Sequence, residues 1–340
     1  MSKIVQFNQY GNPDVLQVVE VPTKIPGAKE VRINIKAFGV QRADALWRQG
    51  HYIQTPDNFP ATLGYDCVGI IDAVGERVTE FKIGDKVMVV PGFSLNEYSV
   101  YGDSAVVSQD NVQKLPNIDL SWEEYAAISV PYYTAYFALF EIDNLRQAKF
   151  ILVTAAACSV GIAAMQMAKA QGVKVIGTSR TSAKKDKILE LGADYFIATE
   201  EKDIVTEIRN IVGTRGVDIV FDPIGGKMIN KWYQVIKRSG YIIHYGSLDV
   251  NDATVPMIPA VLNVATLKSY MIFEFTGNTV LELNPNKAAI DRATKYINSG
   301  FENSKFKSVI AKSFTLDEVA DSHRFLESNQ QIGKIVVKVG

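Results

Sequence analysis

At 340 residues, with 47% hydrophobic and 10% aromatic residues, the chain exceeds the size at which one core keeps growing, and two ordinary domains are expected. Lys plus Arg number 36 against 37 Asp plus Glu, a net charge of −1 that offers no basic field to a nucleic acid or an anionic membrane. Two cysteines, Cys67 and Cys158, cannot form a disulfide scaffold, and three histidines, His51, His244 and His323, are a poor ligand inventory for zinc, so a metal-free cytoplasmic protein is expected.

The opening stretch, Met1 to Asp14, carries charged and polar residues where a secretory segment needs an apolar core of roughly 7–15 residues. No later run approaches the roughly 20 apolar residues that span a bilayer, so the chain reads as soluble. From residue 3 to about 118, short apolar or alternating runs (Val15 to Val21, Val31 to Val40, Cys67 to Val74, Lys86 to Val90, Asp103 to Val107) are separated by turn residues such as Gly11-Asn12-Pro13, Pro26-Gly27 and Gly84-Asp85. This predicts a mostly β domain. At Ser121 the pattern changes: Ser121 and Glu124 have capping-box spacing, and a helix is predicted through about Phe140.

Strands and helices then alternate: Phe150 to Thr154, a helix from Ile162 to Gln171, Lys174 to Thr178, a helix from Lys184 to Leu191, Val217 to Phe221 and Tyr241 to Tyr245. With Tyr195 to Ala198 and Leu267 to Phe273 there are six strand candidates, the number in a doubly wound dinucleotide-binding sheet. The tail holds a second capping box, Thr315 to Glu318, and a closing strand, Lys334 to Val339, inferred to return to the first domain. The expected architecture is α/β, with a β domain (1–124 and 279–340) interrupted by a nucleotide-binding domain (125–278) and a cleft between them.

Directly after the strand ending at Thr154 comes Ala155-Ala156-Ala157-Cys158-Ser159-Val160-Gly161, where a βαβ unit carries its phosphate turn. Only the last glycine of the G-x-G-x-x-G pattern survives, the one that permits close packing of helix on strand. The amides of Ser159, Val160 and Gly161 would still face a pyrophosphate from a helix N-terminus. The same residues also suit an ordinary strand–turn–helix. The second strand ends in Ser179-Arg180-Thr181, with Lys184 just beyond and no acid from Thr178 to Ser182, which suits the 2′-phosphate of NADPH better than the ribose hydroxyls of NADH.

Several short segments join this turn: Gly39 to Asp44 with Arg48 to Gly50, Leu63 to Asp66 with Gly69 and Val74-Gly75, Gly84 to Val87, Thr134 to Tyr136, Val217 to Asp222 with Gly225-Gly226, and Gly333-Lys334. Together they resemble the medium-chain dehydrogenase/reductase superfamily, specifically its zinc-free quinone oxidoreductase branch, over nearly the whole chain. The resemblance implies a GroES-like catalytic domain interrupted by a Rossmann domain. Zinc-dependent members carry Cys with Ser or Thr at the first segment and a His-Glu pair at the second; here the stretches read Gln41 to Asp44 and Tyr65-Asp66, so no metal is expected.

The resemblance further implies that Gln41, Arg42 and Asp44 lie beside the nicotinamide ribose, that Thr134 sits over the cofactor, that Tyr245, Gly246 and Ser247 line it, and that Gly333 and Lys334 contact it. Gln41 stands where Asn is more usual, and Cys158 where glycine is common; both cysteines read as packing residues. Tyr52, placed by the resemblance at the cleft mouth, could donate a proton or pack on the substrate as an aromatic lid. Of the tyrosines at 132, 133 and 136, Tyr133 is the one nominated for the cleft, so the catalytic candidates are Gln41, Tyr52 and Tyr133.

The leading expectation is an NADPH-dependent, zinc-free reductase passing hydride to a quinone held in the cleft, since a quinone oxygen can take its proton from water. A reductase of activated C=C bonds on the same frame would need a positioned acid. A third reading, an NADPH-binding crystallin or RNA adaptor, is opposed in its RNA form by the near-zero charge. The resemblance suggests a homodimer joined through the edge of the nucleotide domain.

Overall fold

The computed structural model describes every residue from Met1 to Gly340 and divides into two units, Met1–Tyr133 with Phe273–Gly340, and Thr134–Ile272. The first boundary therefore falls after Tyr133 rather than after 124, and the return at Phe273 rather than 279. Packing explains both shifts. Tyr132 sets its ring 4.9 Å from Phe301 and 5.5 Å from Phe306, and Phe273 packs 5.7 Å from Tyr65, all inside the first unit.

In chain order the strands are β1 (Ser2–Phe7), β2 (Gln17–Val21), β3 (Glu30–Val40), β4 (Ala61–Thr62), β5 (Cys67–Val74), β6 (Lys86–Val89), β7 (Ser104–Ser108) and β8 (Val112–Lys114). The second unit follows with β9 (Phe150–Val153), β10 (Lys174–Ser179), β11 (Tyr195–Ala198), β12 (Val217–Asp222), β13 (Ile236–His244) and β14 (Thr266–Ser269). The chain then returns to the first unit as β15 (Ile310–Thr315) and β16 (Lys334–Lys338).

In the first unit β2-β1-β4 form a small sheet, and a larger one runs β15-β16-β3-β5-β6-β8, with β7 also on β3. The tail strand does return: β16 lies antiparallel on β3, pairing Val336 with Gly39 and Val337 with Phe38. This is a GroES-like domain, as expected. The predicted helix through Phe140 is broken into Trp122–Ala126, Ser129–Tyr136 and a π-helical stretch Phe137–Ile142. Pro131 explains the first break, because it has no N–H to give the carbonyl of Ala127.

The second unit is a six-stranded parallel sheet ordered β11-β10-β9-β12-β13-β14, the 3-2-1-4-5-6 order of a Rossmann domain. Its central strands are nearly continuous apolar runs because both faces are covered; all six positions of β12 are buried. β14 stops at Ser269, short of the predicted Phe273, which belongs instead to a turn of helix, Phe273–Thr276. The strand order reverses between β9 and β12, so their carboxyl ends form the crevice where such sheets take ligands. No helix is long and apolar enough to cross a membrane.

Candidate active site

The crevice is shaped by small residues. Beyond β9, Ala155 adopts a positive φ of 46°, and the helix Ser159–Ala170 starts at Cys158. A Cβ on Gly161 would lie 3.0 Å from the Cα of Ala156, so the surviving glycine of the motif is the one that lets helix and strand meet. The Cys158 sulfur accepts the Gly161 amide at 3.2 Å, so that N–H, expected to face a phosphate, is engaged by the protein. Burial pushes the Cys158 thiol up, which fits a capping role better than a nucleophilic one.

Across the crevice, Thr154 donates to Asp222, whose carboxylate also accepts the Gly225 amide at 2.9 Å. Tyr245 stacks on Phe221 with centroids 4.1 Å apart, and its hydroxyl lies 3.8 Å from the Cys158 sulfur. Gly246 follows close under Pro223, where a Cβ would come within 3.2 Å of the carbonyl oxygen, and Ser247 is exposed. Thr134 is buried, its carbonyl accepting the Tyr270 hydroxyl at 3.2 Å.

At the end of β10, Ser179 turns its hydroxyl onto the Thr181 carbonyl at 2.6 Å. Arg180 is exposed and Lys184 half-buried. The Lys184 ammonium is held below its ordinary range, first by burial and then by the positive charge of Arg180. Two mutually repelling cations next to a helix N-terminus are the charge arrangement that a phosphate relieves, so these residues fit a phosphorylated dinucleotide.

In the first unit, an ionic cluster is buried beneath the start of the helix Arg42–Gln49. Lys334 on β16 meets Asp66 at 3.1 Å, with the two side chains 2% and 1% exposed. Gln41 donates to the other oxygen of Asp66 at 3.0 Å. Gly39 makes the pair possible, since a Cβ there would lie 2.2 Å from the Lys334 side chain. Asp44, wholly buried, accepts the Gln41 amide at 3.0 Å and the Tyr101 hydroxyl at 2.8 Å, both on one oxygen, while its Oδ1 has no partner. Burial raises its carboxyl to about 7.

Five expected site residues are engaged by the protein itself in the structure. The Arg42 guanidinium is tied to the Leu326 carbonyl and, at 2.6 Å, to Asn329, where it holds the C-terminal helix. Asp44 and Lys334 are buried in the cluster just described, bonded to Gln41 and Asp66. Tyr133 is 0% exposed with its hydroxyl 2.6 Å from Thr294. Gly333 takes φ +100° close under the Val309 carbonyl, a backbone need.

Tyr52 is half-buried, and burial pushes its phenol up to about 12. Its ring lies 6.1 Å from that of Tyr65, which in turn packs against Phe93 at 5.5 Å and Phe273 at 5.7 Å. Tyr65, Asp66, Phe93 and Tyr101 are the residues that reading for site chemistry missed. Tyr65-Asp66 had a signal, standing where relatives hold a His-Glu pair; Phe93 and Tyr101 had none.

Two family models match the chain: an alcohol dehydrogenase GroES-like domain over residues 27–125 and a zinc-binding dehydrogenase domain over 159–289. The synaptic vesicle membrane protein VAT-1 homolog of Danio rerio is 32% identical over 345 aligned positions, covering 96% of this chain and 68% of the relative. This chain belongs to the medium-chain dehydrogenase/reductase superfamily, in its quinone oxidoreductase and VAT-1 branch. Human quinone oxidoreductase is 28% identical, with 99% of this chain and 98% of that one covered. Escherichia coli quinone oxidoreductase, solved with NADPH, superposes with a TM-score of 0.87 at 25% identity, over 99% of each chain.

The protein is therefore an NAD(P)-dependent reductase of the quinone oxidoreductase-like type. The zinc in one family name has no matching donors here. No three His, Cys, Asp or Glu side chains converge, Asp66 is neutralised by Lys334, and burial holds the neighbouring Cys67 thiol far above its ordinary range.

Proposed function

We propose that this reductase uses NADPH to reduce a quinone or a related planar, electron-poor carbonyl. Bound NADPH would supply the hydride. The amides of Ser159 and Val160 would receive the pyrophosphate, Arg180 and Lys184 the 2′-phosphate, and Thr134 with Tyr245 to Ser247 would line the nucleotide. Gln41, fixed by its bond to Asp66, would stand beside the cofactor.

The observation that carries the quinone reading is the aromatic setting of Tyr52: its ring lies 6.1 Å from that of Tyr65, which packs against Phe93 at 5.5 Å and Phe273 at 5.7 Å, flat faces suited to a planar ring. A phenol pushed up to about 12 keeps its proton at neutral pH, which makes it a hydrogen-bond donor and a weak acid. That suits a carbonyl acceptor, which the phenol can hold by a hydrogen bond while the reduced oxygen takes its proton from water. NADPH oxidation across a panel of quinones and enones tests this. Turnover of quinones is expected, and turnover confined to enones overturns the reading.

A homodimer is part of the proposal. On the second unit, Met257, Ile258, Val261 and Leu262 are 68, 75, 68 and 65% exposed on one helix, beside β14, which hydrogen-bonds only to β13 and leaves its other edge open. An open strand edge next to apolar surface suits strand-to-strand pairing with a second copy.

A further inference from the structure

Tyr65 holds a polar group that the fold does not use. Its side chain is 2% exposed, and its hydroxyl is buried with no hydrogen-bond partner. Buried tyrosine hydroxyls ordinarily find one. Others in this unit do: Tyr98 donates to Glu30 at 2.7 Å, Tyr101 to Asp44 at 2.8 Å, and the Tyr133 hydroxyl meets Thr294 at 2.6 Å. A phenylalanine at 65 would fill the same space against Phe93 and Phe273 without leaving a donor in the dark.

The neighbouring hydroxyl belongs to Tyr52, with which it interacts. Tyr52 is the more exposed of the two, so the pair extends from the surface to the buried aromatic wall. The wall is rigid. Gln54, two residues on from Tyr52, donates to Asn278 at 3.0 Å and accepts from Ser94 at 2.9 Å, and Asn278 donates to the Phe93 carbonyl at 3.0 Å. All three network side chains are buried and bonded to one another, which fixes the Tyr52 loop against the segment carrying Phe93. Burial pushes the Tyr65 phenol well up, so its proton stays in place at any working pH.

We propose that Tyr65 positions the acceptor: beside Tyr52, its O–H donates a hydrogen bond to a carbonyl oxygen of a flat, ring-bearing substrate that rests on this aromatic wall. The inference rests on the quinone-reductase reading and adds a residue to it. Two phenol donors and three rings select for a carbonyl joined to a planar ring; a short-chain carbonyl engages the donors and gains nothing from the wall.

The test is Tyr65→Phe, with Tyr52→Phe beside it. Affinity for 1,4-naphthoquinone is read from quenching of intrinsic fluorescence without cofactor, together with KM and kcat for the same quinone, the Kd for NADPH, and Tm. Loss of one neutral hydrogen bond is worth about 2- to 10-fold, so Tyr65→Phe is expected to weaken naphthoquinone binding and raise its KM by that factor. Its Tm should stay level or rise and its NADPH affinity stay unchanged, because an orphaned donor has been removed far from the nucleotide turn in sequence. A structural role would move Tm and leave ring affinity alone. Unchanged naphthoquinone affinity and KM in Tyr65→Phe overturn the proposal, as does a wild type that does not bind the ring. A wild type that binds the ring but reduces no quinone defeats the functional reading alone, and the affinity difference still decides Tyr65.

Discussion

The two units handle charge in opposite ways. The nucleotide unit keeps the cations proposed for its cofactor near the surface: Arg180 is exposed and Lys184 is half-buried. The GroES-like unit instead buries Arg48, Asp66 and Lys334 and pairs them within the fold, Lys334 with Asp66 and Arg48 with Glu327. The first arrangement is local in sequence, a strand, a turn and a helix start. The second joins Asp66 to Lys334 across 268 positions and depends on the register of β16 against β3. Damage to the first should therefore be read in cofactor binding, and damage to the second in folding.

The widest separation is expected from Lys334→Met. Removing one partner of a buried pair leaves the other charge uncompensated, at a cost of about 3–5 kcal/mol. Urea unfolding should show a loss of that size, and adding Asp66→Leu to the same chain should recover most of it, because the stranded charge is gone. A single-variant loss under about 1 kcal/mol would mean that water reaches this pair and that the unit does not bury its charge as described.

The pH dependence of stability is the next handle. Folded Asp44 holds its proton up to about 7, against an ordinary value of 3.8, so between those pH values the folded chain binds more protons than the unfolded one. Its contribution is thus fully present below about pH 4 and falls as pH rises toward 7, by up to about 1.4 kcal/mol per unit. His323 has the opposite slope. Burial beside Arg48 holds it at about 3, against 6.5, so it favours folding as pH rises through that window. The two offset each other in the wild type, which makes the difference curve the informative one. Asp44→Asn should gain stability relative to wild type steadily from pH 4 to 7, measured by urea midpoints. A pH-independent difference would show that the Asp44 carboxyl is already ionised in the fold.

The same contrast explains what could be read from sequence. Strands Cys67–Val74 and Tyr195–Ala198 match their predicted spans, because alternation and turn residues are local signals. Both capping boxes form, with the Ser121 amide on Glu124 at 2.9 Å and the Thr315 amide on Glu318 at 2.8 Å. The long helix Lys287–Glu302 went unnamed although its buried residues, Ala289, Ile290, Ala293, Ile297 and Phe301, carry helical spacing. The first unit's site was legible only where a motif marked it. Gln41 was found, but its bond to Asp66 was not, and the meeting of Tyr101 with Asp44 had no local trace. That contact depends on Gly64, at φ +107°, where a Cβ would lie 2.2 Å from the Tyr101 ring. Asp44 and Lys334 were named for the cofactor, and their burial was not foreseen, because sequence shows that a charge is present and not whether it is sealed.

The smallest effect on folding is expected at Arg180, where the nucleotide unit should show its tolerance. The side chain is exposed and lies at the end of β10 where a 2′-phosphate is read, so Arg180→Ala should change folding stability by no more than about 0.5 kcal/mol. Binding should respond differently. A charge-assisted hydrogen bond to phosphate is worth on the order of 1.5–3 kcal/mol, so the variant's preference for NADPH over NADH should fall roughly tenfold or more. The loss should lie in NADPH affinity alone, since NADH has no 2′-phosphate to miss the guanidinium. Titration of both cofactors against both proteins, followed by nucleotide fluorescence, measures the ratio directly. Equal affinity of the wild type for NADPH and NADH would remove Arg180 and Lys184 from the cofactor site.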